Sequence, residues 1–156
     1  MRIQLNRHEL LFCDLFGTAR RKNAMQFNHD RQVSKQNPYD MDIDGFRGEF
    51  AVAKYLNVMV DTSLNERKNP VDLIWNGKTI DVKATRHKNA HILVTEYHKH
   101  HPCDLYVQTY IEDDAVTIVG WIDNRTLFKE AEIRTEGQVS YWLKDDKLFP
   151  IEMLGV

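Results

Sequence analysis

Asn76-Gly77 sits between two runs of alternating apolar residues, PVDLIW and KTIDVKAT, and that arrangement constrains the chain more than any other feature. Both loop residues tolerate the positive φ of a two-residue type I′ turn, whose twist matches the strands it joins. The turn sets the register: Trp75 faces Lys78, Ile74 faces Thr79, Leu73 faces Ile80 and Asp72 faces Asp81. Alternation then puts Val71, Leu73, Trp75, Ile80, Val82 and Ala84 on one face, and Asp72, Ile74, Thr79, Asp81 and Lys83 on the other. The first face reads as core. The second carries charge that a plain core hairpin does not need.

Counted outward from the turn, the 72/81 pair falls at a non-hydrogen-bonded position, where facing Cβ atoms are only about 4.5–5.5 Å apart. Two carboxylates that close repel each other. Protonation of one, a neighbouring cation or a divalent metal between them relieves the repulsion. Lys83 supplies one positive charge on the same face, and a metal is the economical expectation for the rest.

A third carboxylate is misplaced by the same standard. With Asp44 as its cap, a helix over residues 45–57 aligns Phe46, Glu49, Phe50, Val52, Ala53 and Leu56 on one side, while Arg47, Lys54 and Tyr55 take the opposite, solvated side. Glu49 lies in the middle of the apolar stripe, where an unpaired charge is costly. If this helix packs on the hairpin with Glu49 near Asp72 and Asp81, three carboxylates converge on one point. Such an oxygen site suits Mg²⁺ or Mn²⁺ rather than zinc.

Around this centre, Asn6 and Glu9 form a capping-box start for a helix over residues 6–22, and residues 23–43, rich in Asn, Gln and Asp, read as a flexible segment. Residues 58–60, HILVT, DLYVQTYI, AVTIVGWI and VSYWL read as strands, with a short helix at 125–131. The order predicts an α+β or mixed α/β chain around one twisted sheet. At 156 residues and 42% apolar composition it fits one domain: a helix at 6–22, the flexible segment, a core at about 44–122 and a C-terminal helix-and-strand extension at 123–156.

No run approaches the roughly 18 apolar residues of a membrane span, and MRIQLNRHELL lacks the apolar region of a secretory signal. Cys13 and Cys103, far apart and without metal-binding spacing, read as reduced, buried thiols. The expectation is a cytoplasmic protein with no membrane contact. A net charge of −2 excludes a generally basic nucleic-acid coat, so a polyanion has to be gripped locally. Arg67, Lys68, Arg86 and Lys88 extend from the open end of the hairpin, bracketing the acidic centre as a phosphate backbone requires. Arg20, Arg21 and Lys22 are weaker contacts, and His98-Lys99-His100-His101 reads as an exposed loop. Asp40, Asp42 and Asp44 imitate half of a calcium loop, but its twelfth position is Ala51, which excludes that reading.

A helix glutamate (Glu49 in GFRGEFAVAKYL), a strand aspartate (Asp72 in NPVDLIW) and Asp-x-Lys across a hairpin (Asp81-Val82-Lys83 in TIDVKAT) together resemble the PD-(D/E)XK nuclease superfamily. The resemblance covers about residues 45–85 and departs in one respect, since Val71 separates Pro70 from Asp72. It implies a restriction-endonuclease-like core, a mixed central sheet with an antiparallel meander flanked by helices. It also implies Mg²⁺-dependent hydrolysis of DNA phosphodiester bonds, with Mn²⁺ able to substitute, by an endonuclease of recombination, repair or processing that can act as a homodimer. On that basis Glu49, Asp72, Asp81 and Lys83 are the catalytic residues, and Glu49, Asp72, Asp81 and the Val82 carbonyl hold the metal. Two alternatives remain open at this point: an RNA endonuclease with the same metal centre, and a non-catalytic nucleic-acid-binding module on the same fold.

Overall fold

The computed structural model describes residues 1–26, 37–64 and 71–155. After a short strand β1 (Arg2–Gln4), helix α1 (Arg7–Gln26) begins at the expected capping box. The Asn6 side chain accepts the His8 and Glu9 amides at 2.9 and 3.0 Å, and the Glu9 carboxylate accepts the Asn6 amide at 2.8 Å. Helix α2 (Pro38–Leu56) starts seven residues before the expected position. Its cap is Asn37, whose side chain accepts the Tyr39 amide, and Pro38 takes the first turn, where a missing N–H costs nothing. Asp44 is therefore not a cap but a buried residue inside the helix. Tyr39, Ile43, Phe46 and Phe50 continue the apolar spacing across what had read as a flexible segment; residues 27–36 of that segment lie outside the described residues. Residues 58–60 form no strand.

The hairpin follows as β2 (Leu73–Trp75) and β3 (Lys78–Thr85). Asn76 and Gly77 have φ of 47° and 75°, and Leu73–Ile80, Ile74–Thr79 and Trp75–Lys78 pair as the turn requires. The chain continues through β4 (His91–Thr95), α3 (Glu96–His100), β5 (Leu105–Ile111), β6 (Ala115–Asp123), α4 (Asn124–Glu130), β7 (Glu132–Arg134) and β8 (Ser140–Lys144). Two 3-10 turns, Asp145–Lys147 and Ile151–Leu154, close it.

These strands form two sheets. The larger is mixed, in the order β1-β6-β5-β3-β2, with β3 and β5 parallel and the other neighbours antiparallel. The smaller, β4-β8-β7, is antiparallel. The chain is thus a mixed α/β protein.

Helix α2 covers one face of the larger sheet, packing Val52 and Leu56 against Leu73, Ile80, Val82 and Val107. Gly48 makes that approach feasible: a Cβ there would stand 2.6 Å from Thr109 Oγ1 and 3.3 Å from the Ala84 Cβ. The second cluster joins Tyr106 and Ile122 of the larger sheet to Ile92, Val94, Tyr141 and Leu143 of the smaller one, with Leu127 of α4. Since Tyr106 and Val107 alternate, this cluster lies on the opposite face. No helix among the described residues is long and apolar enough to cross a membrane.

Candidate active site

Strand β3 is flanked by β2 on one side and β5 on the other, so its charged residues are presented from inside the sheet. Asp81 stands beside Tyr106, and Lys83 beside Gln108, on the face opposite Ile80 and Val82. Asp81 is 2% exposed. Lys83 Nζ lies 2.8 Å from Asp81 Oδ1 and 2.9 Å from Oδ2. Burial opposes ionisation of Asp81, but the Lys83 charge and hydrogen bonds from His98 and Lys83 outweigh it and hold the carboxyl below its usual range.

Asp72 leaves the ladder and turns its carboxylate onto the backbone of β3. Its amide, which at a non-hydrogen-bonded position would point away from β3, instead donates to Ile80 O at 2.9 Å, and its Oδ2 accepts the Val82 amide at 2.8 Å. A continued two-residue hairpin would give that amide to the carbonyl of residue 71. The Asp72 carboxylate thus abuts the Asp81–Val82 peptide. The departure also corrects the expected face of Val71: it packs with the second cluster, not with Leu73 and Trp75. Beside Asp72, residues 58–61 and 71–74 border an open cleft of about 530 Å³ at the free edge of β2.

Glu49 meets its counter-charge from another direction. Arg20 Nη1 donates to both of its oxygens, at 2.7 and 2.9 Å, and Arg20 Nη2 donates to the Asp61 carbonyl at 2.9 Å. The guanidinium also stacks 4.5 Å above the Phe46 ring. Glu49 therefore lies between α1 and α2, on the α2 side of the sheet, while Asp81 and Lys83 occupy the other side. Among the described residues no three His, Cys, Asp or Glu side chains gather as a metal-holding group. Glu49 is accordingly set apart from Asp81, while the Asp72 carboxylate is bonded to the backbone amide between Asp81 and Lys83.

The basic residues are distributed unevenly. Arg86 makes two short bonds to Asp44, at 2.6 and 2.7 Å, which tie the exit of β3 to α2. Lys88 is exposed, with Nζ 5.8 Å from the centre of the Tyr110 ring. Arg67 and Lys68 lie outside the described residues. Arg20 is taken by Glu49, and Arg21 is buried near Asp42. Arg47, expected on a solvated face, is mostly buried and paired with Asp14 at 2.7 Å.

One residue of the site was not legible as such. His98 belongs to α3 rather than to an exposed loop, and its Nε2 stands 3.3 Å from Asp81 Oδ2 and 3.0 Å from Lys83 Nζ. Its sequence signal, three histidines in four residues, did not distinguish it from His100 and His101, which are exposed. Tyr106 and Cys103 line the same region, and burial, with the Asp81 charge next, pushes the phenol and the thiol each up to about 12. No protein-family model, curated protein or solved structure matches the chain.

Proposed function

We propose that this chain is a divalent-metal-dependent endonuclease of restriction-endonuclease-like construction that hydrolyses DNA phosphodiester bonds. The observation that carries the reading is the Asp81–Lys83 ion pair on β3, with the Asp72 carboxylate bonded to the Val82 amide between them. The donor set fits a hard cation: Mg²⁺ is commonly held by one or two carboxylates, retained waters and substrate phosphate oxygens. Asp72, Asp81 and the Val82 carbonyl would hold it. When bound, Mg²⁺ or Mn²⁺ supplies an activated water and neutralises charge on the phosphorane and the leaving oxygen.

The chain's own residues do the rest. Lys83, its side chain a quarter exposed, reaches a phosphate laid along β3. There it holds the attacking water or neutralises a non-bridging oxygen. Water adds to phosphorus and gives up a proton to solvent, the bond to the 3′ oxygen breaks, and the departing oxygen takes a proton from solvent, leaving a 5′-phosphate. Lys88 offers a charge to the strand beyond the scissile bond.

The test is cleavage of linear, nicked, single-stranded and four-way DNA, beside matched RNA, in Mg²⁺. Cutting by the wild-type chain, with a loss of at least about a hundredfold in Lys83→Ala and Asp81→Asn, is the expected result. No cleavage of any DNA, or undiminished cleavage by Lys83→Ala, overturns it; preferential cutting of RNA moves the substrate class to RNA. The Arg20–Glu49 pair favours a second reading, a binding module that keeps the fold without turnover. Metal-independent DNA binding, unchanged in Asp81→Asn and without cleavage, would select it.

A further inference from the structure

We propose that His98 is a positioning residue of this site, whose Nε2–H holds Asp81 Oδ2 and leaves Oδ1 as the oxygen offered to a divalent cation. The inference rests on the metal-dependent reading above and adds a residue that reading did not include. It begins with the start of α3, where the Thr95 amide donates to His98 Nδ1 at 3.1 Å, closing a capping box. A backbone N–H can only donate, whereas the Thr95 hydroxyl, 3.0 Å from the same nitrogen, can turn to donate as well, so Nδ1 carries a lone pair. The proton of the neutral imidazole is then on Nε2.

That assignment decides which neighbour Nε2 serves. An N–H cannot accept from the Lys83 ammonium 3.0 Å away, so its acceptor is the carboxylate oxygen at 3.3 Å. Asp81 Oδ2 therefore has two donors, His98 and Lys83, whereas Oδ1 has Lys83. Lys83 ends a flexible chain and can turn away from Oδ1. His98 cannot turn comparably: its ring is wedged edge-on against Tyr97 and Tyr106, with centroids 5.8 and 6.4 Å away. The Asp81 carboxylate is held in one rotation, with Oδ1 toward the side from which Lys83 departs.

The surroundings single out His98 from its run. His101 stacks flat on Tyr97 at 4.2 Å, and His100 is exposed. Strand β4 runs directly into α3, so the smaller sheet serves as the platform that sets His98 over Asp81. Hydrogen bonds that orient a metal-binding carboxylate typically change metal affinity or activity about 10–100-fold when removed.

His98 also contributes to capping α3, so the test must separate the two roles. His98→Asn keeps an acceptor at the Nδ1 position but lacks the reach of Nε2; His98→Gln places an amide N–H near the Nε2 position. Mn²⁺ binding, measured by electron paramagnetic resonance without substrate, is expected to weaken about tenfold or more in His98→Asn and to recover to near wild type in His98→Gln. Equal affinity in His98→Asn and wild type overturns the inference. Nitrogen NMR of the wild-type chain without metal decides the contact independently. A proton on Nε2 whose resonance shifts in Asp81→Asn supports it, and a proton on Nδ1 overturns it. A wild-type chain that binds no Mn²⁺ overturns the metal-dependent reading and with it the offered oxygen, while the NMR result still tells whether His98 holds Asp81.

Discussion

A carboxylate buried under a helix needs a positive partner, and for Glu49 that partner is Arg20, itself only 16% exposed. Both charges have left bulk water, so removing Arg20 takes a bidentate partner from a buried carboxylate. Arg20→Met should therefore lower stability by about 3–5 kcal/mol, and Arg20→Met with Glu49→Leu should recover most of it. Urea denaturation midpoints of the three chains check this; an Arg20→Met midpoint equal to wild type would contradict it. Asp81 carries a pH dependence of its own. Its carboxyl is held below the usual range, so its contribution is present above the unfolded value near about 3.9 and is lost as pH falls through the lower folded value. Glu9, Asp104 and Asp123 shift the same way; Asp145, raised by burial, works in the opposite sense. Stability should fall on acidification below about pH 4, less steeply in Asp81→Asn, as followed by circular dichroism in urea.

Helix α2 lies on β3 and β5 because Gly48 has no side chain to hold them apart. Gly48→Val would drive a methyl group into Thr109 and Ala84, and a loss of at least about 3 kcal/mol in urea denaturation is expected. The hairpin was legible from sequence through its turn residues and its period of two, down to the pairing of Leu73 with Ile80. The start of α2 was not. Asn37-Pro38 outcompetes Asp44 as a beginning, and three aspartates in five residues masked the apolar spacing of Tyr39, Ile43, Phe46 and Phe50. The site divides the same way. Asp81 and Lys83 follow from strand alternation, a local property. The Arg20–Glu49 pair and the approach of His98 depend on helix packing and on a second sheet, which are long-range properties that local spacing does not encode.

At the scale of the whole molecule, the larger sheet separates two environments. One face is sealed by α2, with α1 packed behind it; the other meets the smaller sheet, and Asp81, Lys83 and His98 lie there. The two cysteines lie within this packing, and burial pushes both thiols up to about 12. At pH 8 the folded chain should react with a thiol reagent far more slowly than the urea-unfolded chain, which should release two equivalents; prompt reaction of both thiols in the folded chain would contradict the packing. The proposed function requires that Asp72 and Asp81 hold a divalent cation. Anomalous scattering from a crystal soaked in Mn²⁺ tests it most directly. A peak is expected between the Asp72 and Asp81 carboxylates, beside the Val82 carbonyl, with Lys83 turned away from Asp81 Oδ1. Saturating Mn²⁺ that leaves no peak there, with Lys83 still bridging both oxygens of Asp81, would contradict it.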